Sequence, residues 1–302
     1  MASGGRLNFN LGPILDSVFD WLFDPAKRTH FVFLFSSFAI AVLWAAFRWS
    51  ERRRFILELG KKSYWFNTST LQDYILIFFN RGLFLLLGIP WLILTLDISL
   101  LTLDFWRMFG DVAPDPIRGA WVMGLYTLIV FLLDDLSRYA LHRVMHKYDF
   151  LWRMHQLHHS ASTLTPFTTL RIHPLESVLY SIRSSLVHGL CIGSGFFFLG
   201  YQPDSWQLWG ATIWILVFNF LGANLRHSHI PLKYGWLEKI LISPAMHQAH
   251  HGLRSMQTNY GSVLSIWDRL GGSWRSGELN YQLPKEAQPL SKQLLLRHIQ
   301  WK

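Results

Sequence analysis

The sequence is poor in charge and nearly without cysteine. Charged residues make up 16% of its 302 positions, against ~25% in a typical soluble domain. That is too little to wet the surface of a soluble globule this size. The single cysteine, Cys191, lies in an apolar run. No disulfide can form within the chain, and any metal ligands must come from other residue types. No repeat, low-complexity run or flexible linker divides the sequence, which reads as one integral domain over 1–302. Residues 1–29 lack an early apolar core followed by a small-residue cleavage site, so a simple signal peptide is not expected. Ile14 to Phe23 suits a short amphipathic helix lying on a bilayer.

What is plentiful is apolar: 51% of residues are hydrophobic, in runs long enough to cross lipid. A crossing helix needs ~20 mainly apolar residues. The candidates are Phe31–Phe47, Tyr74–Leu103 with Pro90 within it, Ala120–Leu141, Leu186–Leu199 and Trp206–Leu225. Tyr201 to Asp204 makes a tight turn between the last two. The expected fold is all-α: a polytopic membrane bundle of about five spans, or four, capped by a helical, histidine-bearing cytoplasmic region.

The net charge of +9 does not point to nucleic acid, because the bases sit in particular connections. Arg48, Arg52, Arg53, Arg54, Lys61 and Lys62 follow the first span. Arg143, Lys147, Arg153, Arg171 and Arg183 fall between the third and the fourth. The 104–118 loop carries three acids and two arginines, and the 201–205 turn carries no base. Five spans with the N-terminus outside put every basic connection in the cytoplasm. The same orientation puts the clustered histidines on one side.

Those histidines carry the chemistry. His142 and His146 are spaced i, i+4 just after the third span. His155, His158 and His159 follow in Met-His-Gln-Leu-His-His. His247, His250 and His251 repeat that spacing in Met-His-Gln-Ala-His-His. On a helix, adjacent histidines diverge by ~100°, which suits two ions better than one. His227 and His229 lie just upstream of the last group. A lone histidine near a membrane is ordinarily a packed side chain, and His30, His188 and His298 are read so. Eight clustered imidazoles would repel if protonated and would be costly to bury without partners. Metal ions remove both problems. Imidazole suits zinc, copper, iron and nickel alike, so spacing does not choose the metal.

With these flanks the sequence resembles the fatty acid hydroxylase and sterol desaturase superfamily of membrane enzymes. The matching boxes are His142/His146, His155/His158/His159 and His247/His250/His251. Asp135 stands seven residues before the first box. Ser243-Pro-Ala-Met and the 259–270 stretch resemble the family's C-terminal signature. The likeness covers about 120–275, and the spacing looks closest to the alkylglycerol monooxygenase branch and its bacterial relatives. It implies N-terminal spans over 1–118, a catalytic region over 119–275 and a cytoplasmic tail over 276–302, with a weak helix at Leu290–Ile299. It also implies two irons, replaceable by zinc in purified protein, with O2 as co-substrate. The lipid substrate enters from the bilayer, and electrons come from a separate donor protein. The reaction implied is hydroxylation or desaturation of a lipid C–H bond in a sterol, fatty acyl chain or ether lipid.

The implied ligands are the eight box histidines with His227, and more weakly His173 and His229. Asp135 is expected to accept the N–H of a ligating imidazole, and Asp134 to pair with Arg138. Glu176 is expected to hold a histidine or line the cavity, or else, with His173, to mark a helix start at Pro174 with an acid near its N-terminus. Asp268 is expected to serve packing more than chemistry. Two departures stand out. Lys147 occupies a position where the branch has glutamate, and His229 one where many bacterial relatives have asparagine. The rival readings are a histidine-rich metal-binding or transport protein and a zinc-dependent lipid hydrolase. The first is disfavoured because the boxes lie at one face rather than mid-bilayer. The second would need a free carboxylate base, and no box contains one.

Overall fold

The computed structural model describes residues 28–87, 91–200, 216–277 and 281–299, with Phe23 and Trp214. Among them the chain is all-α, apart from an isolated β-bridge joining Leu241 and Leu264. Besides a single turn at Lys62–Trp65, the α-helices are α1 (Phe31–Phe47), α2 (Trp49–Gly60), α3 (Thr68–Leu87), α4 (Trp91–Arg107), α5 (Ala120–Lys147), α6 (Asp149–His159), α7 (Pro174–Leu199), α8 (Pro244–His251), α9 (Ile266–Gly271) and α10 (Leu290–Leu294).

Two of these helices, α5 and α7, are long and apolar enough to cross a membrane, and only 33% of each apolar window is buried inside the fold. A soluble core helix would hide most of that surface. At 1.5 Å per residue, the 28 residues of α5 reach ~42 Å, beyond a hydrocarbon core of ~30 Å. The last turns of α5, which carry His142 and His146, therefore project past an apolar layer that its first turns fill. The apolar α1 is shorter, at 17 residues.

Three expected spans differ in detail. The 74–103 run is two helices, α3 and α4, with 88–90 outside the described residues. The span expected at 186–199 starts twelve residues earlier, at Pro174. The His173 ring accepts the Leu175 N–H as a cap, and Pro174 fits the first helical position. Residues 206–213 and 215 of the 206–225 run lie outside the described residues, as do the 201–204 turn and the Ile14–Leu22 part of the expected interfacial helix. The described end of that last span is helical at 216–220, then breaks at left-handed Gly222 (φ 86°) into a 3-10 turn, Ala223–His227.

Close packing ties α4 to α7. A Cβ at Gly193 would come within 2.4 Å of the Ser99 carbonyl oxygen, and one at Gly189 within 2.6 Å of Ile98. Small residues here let two backbones approach, which is how apolar helices gain contact where no hydrophobic effect drives them together. At the other end, Arg171 is 0% exposed. Its guanidinium donates to Asp73, Gln72, Ser160 and the Ser69 carbonyl. It thereby pins the 160–173 segment between α3 and α6.

Candidate metal centre

The buried face of α5 carries Asp135, Tyr139, His142 and His146 at steps of four, three and four, the spacing that aligns side chains on one helix face. Against it lie α6 and α8. Every residue of α8 is buried. Ser243 caps it by accepting the Met246 N–H, and Pro244 takes the first helical position.

These elements and the Ala223–His227 turn gather nine imidazoles into two adjacent groups. His142, His146, His155, His159 and His250 form one; His158, His227, His247 and His251 form the other. Within each group the candidate donor atoms lie within 4.8 Å of one another. The adjacent pairs split between the groups: His158 and His251 join the smaller, His159 and His250 the larger. That is the outcome of a ~100° step between helical neighbours.

The hydrogen bonds set the tautomers. His142 Nδ1 lies 2.7 Å from the Tyr260 carbonyl oxygen, and His250 Nδ1 lies 2.6 Å from that of Thr258. A carbonyl only accepts, so both Nδ1 atoms carry hydrogen. In a neutral ring Nε2 is then bare. Yet the two bare Nε2 atoms face each other at 3.1 Å. Two lone pairs so placed repel unless a cation lies between or beside them. Protonation is opposed, because burial holds the His250 pKa well below its ordinary value. The second group repeats the pattern. His158 Nδ1 donates to the Arg171 carbonyl at 3.2 Å, and its Nε2 sits 3.3 Å from that of His227. His227 Nε2 is also 3.1 Å from Nε2 of both His247 and His251. Both ring nitrogens of His146 and Nδ1 of His159, His247 and His251 are buried without a hydrogen-bond partner. Burial pushes His155 and His158 down to about 3. Neutral, buried, convergent imidazoles with outward-facing N–H groups are the donor set a metal ion requires.

Supporting groups hold these rings in place. Glu176, at the start of α7, accepts from His155 Nδ1 at 2.8 Å. Thr169 meets His227 Nδ1 at 2.9 Å. The twin glutamines of the two His-Gln boxes each tie down a loop. Gln248 donates to the Leu225, Ser228 and Ile230 carbonyls. Gln156 donates to the Arg297 carbonyl and accepts the Ile299 N–H. The C-terminal tail thus straps α6 rather than hanging free.

Asp135 corrects an expectation. It touches no imidazole; it accepts the Val263 and Leu264 N–H groups and the Trp267 indole N–H. Asp268 accepts the Tyr260 and Gly261 N–H groups and the Ser273 hydroxyl. The two acids brace a loop whose carbonyls, at 258 and 260, orient His250 and His142. Between those carbonyls Asn259 adopts the left-handed conformation (φ 56°), which asparagine tolerates better than most residues. Asp134 pairs with Arg138 and Arg183, each at 2.8 Å.

His173 and His229 fall outside both groups. His173 spends Nδ1 on the α7 cap, and its Nε2 lies 3.3 Å from the Leu294 carbonyl oxygen. His229 sits edge-on to Tyr64, ring centroids 5.2 Å apart. His30, His188 and His298 are likewise apart. Sequence reasoning missed Thr169, Thr258, Tyr260 and Arg171. Three of the four act through backbone carbonyls, which leave no mark on residue type.

A cavity of about 460 Å³ opens on both groups, lined by His142, His155, His158, His227 and His247. It abuts an apolar cavity of about 500 Å³ running between α1 and the 166–170 and 224–230 segments. The two share Thr29 and Leu170 in their walls.

Comparison with known proteins adds the family. Residues 127–273 match the fatty acid hydroxylase family model. The ornithine lipid hydroxylase OlsE of Rhizobium tropici is 30% identical over 158 residues, 52% of this chain and 44% of that protein. The alkylglycerol monooxygenase of Danio rerio is 30% identical over 162 residues, 53% of this chain and 32% of that protein. The lathosterol oxidase of Mus musculus is 25% identical over 191 residues, 62% and 58% of the two chains. The match spans less than half the length of the first two relatives. No solved structure matches the chain. The stretch that matches the fatty acid hydroxylase family model, residues 127–273, holds all nine clustered histidines and the loop that orients them.

Proposed function

We propose that this protein is a membrane oxygenase that hydroxylates a C–H bond of a lipid, with desaturation as the related outcome. The observation that carries the reading is the pair of convergent imidazole groups, five and four, beside a cavity continuous in its walls with an apolar one. The five- and four-histidine groups would hold two irons, and with O2, two electrons from a separate donor and two protons these would supply the oxidising power to put one oxygen atom into the lipid, the other leaving as water. The protein's own part is positional. Carbonyls at Tyr260 and Thr258, the Glu176 carboxylate and Thr169 keep the rings aimed inward. The apolar cavity excludes water and guides a chain, so geometry selects the carbon that reacts.

In this reading the protein is multi-pass, with the histidine groups at the cytoplasmic face. The basic connections after α1 and after α5 support that sidedness. The apolar windows of α5 and α7, of which only 33% is buried inside the fold, support burial in a bilayer. The lipid names carried by the relatives, an ornithine lipid, alkylglycerols and a sterol, support a lipid substrate without choosing one.

One observation favours a second reading. Glu176 Oε2 is buried in the cavity wall without a hydrogen-bond partner, where a zinc-dependent lipid hydrolase would want a base. Purified protein loaded with iron, given reductant and isotopically labelled O2, separates the two. A lipid gaining one labelled oxygen atom, or losing two hydrogens, supports the oxygenase. Full activity with zinc and no O2 uptake overturns it in favour of the hydrolase.

A further inference from the structure

Three arginines line the cavity in front of the histidines: Arg28, Arg138 and Arg226. They come from three separate parts of the chain. Among the described residues, the carboxylate in that wall is Glu176, whose Oε1 is already committed to His155. Arg138 has a partner, Asp134, at 2.8 Å. Arg226 has no carboxylate partner among the described residues. It is 2% exposed, donates to the Ser262 carbonyl and lies over the Phe218 ring at 4.4 Å. Its Nε is buried without a partner. Arg28, just before α1, adds like charge rather than relief.

A buried charge without a counter-charge is costly. The histidines offer none, and bound metal cations would raise the positive potential further. We infer that the arginine-lined cavity is the seat of an anionic headgroup, and that the protein's ligand is an acidic amphiphile whose apolar chain runs into the adjoining cavity. A guanidinium with an unused N–H fits a phosphate or carboxylate oxygen. Thr29 and Leu170 line both the headgroup seat and a neighbouring apolar space of about 500 Å³. This deepens the lipid reading above and rests on it for the nature of the chain. It also has a regiochemical consequence. The headgroup and the histidines share one cavity of about 460 Å³, so the carbons exposed to oxidation are those near the acidic group.

The test is a binding measurement on the full, metal-loaded chain in a non-ionic detergent, without O2 or reductant. Radiolabelled dodecyl phosphate is the probe. Unlabelled dodecyl phosphate, dodecyl trimethylammonium, dodecanol and inorganic phosphate are the competitors. The expected result is one saturable site, with dodecyl phosphate competing at least about tenfold better than the other three, equivalent to ~1.4 kcal/mol. Arg226→Gln should erase that preference, and Arg226→Lys should restore part of it, with metal content unchanged in both. Arg28→Gln, on a separate segment, should weaken binding in the same direction and carries the test alone if Arg226→Gln does not retain its metal. Equal competition by the alcohol or the ammonium overturns the proposal. So does displacement by inorganic phosphate at equal concentration, which would mark a free-anion site. Because no turnover is read, failure to oxidise any lipid leaves this result standing. Oxidation of a lipid with no acidic preference here sinks this proposal alone.

Discussion

His142 and His250 face each other through Nε2 atoms 3.1 Å apart, each with Nδ1 tied to a carbonyl. Neither ring can turn away without breaking a buried hydrogen bond, so the pair is held ready for a cation. Replacing His142 with alanine removes one donor from the five-histidine group and leaves the four-histidine group whole. Metal content measured by plasma emission should fall from about two ions per chain towards one, with oxygenation lost. Glu176→Gln acts one step further out. Glutamine can still accept from His155 Nδ1, but it no longer makes the imidazole more basic. Metal affinity should drop about 10–100-fold, read by chelator competition, with the fold intact.

The loop from Thr258 to Ser273 joins ligand orientation to helix packing. Asp135 on α5 and Asp268 on α9 collect six donors between them from this loop, and Gly261 sits where they crowd it. A Cβ there would meet the Leu264 carbonyl oxygen at 2.5 Å and Asp268 Oδ2 at 2.8 Å. Gly261→Ala should destabilise the protein by about 1–3 kcal/mol, as overpacking of tight sites does, visible as a lowered thermal midpoint. It should also weaken metal binding, because the Tyr260 carbonyl that orients His142 is the preceding residue. Asp135→Asn should do likewise, and more through the loop than through any direct contact with a ring. At α4 and α7, Gly193→Leu should separate the helices and lower the midpoint with less effect on metal, since that contact is remote from the histidines.

Across the whole molecule, charge and protonation set two further expectations. His155 and His158 are held down to about 3 in the fold against 6.5 when free. The unfolded chain therefore binds more protons between those values. Stability of the metal-free protein should be full above about pH 6.5 and fall steadily as pH drops towards 3. Thermal melts of chelated protein across that range check the sign. Topology is tested with cysteine labelling in a Cys191→Ser background. Lys147→Cys, beyond the histidine-bearing end of α5, should react only from the cytoplasmic side. Asp111→Cys, in the exposed 104–118 connection, should react only from the opposite side. The reverse pattern would overturn the proposed sidedness while leaving the site unaffected.

Residue type and spacing by themselves determined the helical class, the apolar runs and the nine histidines that meet. Helical periodicity and the cost of stranding imidazoles are local physics, legible without coordinates. They even separated His158 from His159, because neighbours on a helix must diverge. The tertiary structure alone decided the rest. It put His173 on a helix cap and His229 against Tyr64, though both follow the same residue chemistry as the ligand candidates. It gave Asp135 to a loop backbone instead of a ring. It chose the Tyr260 and Thr258 carbonyls as the tautomer-setting partners, and it set Arg226 in the wall of the histidine cavity. Each of those outcomes depends on groups far apart in sequence meeting across packed elements. Every residue carries the same carbonyl, so no pattern of side chains announces which one will be used.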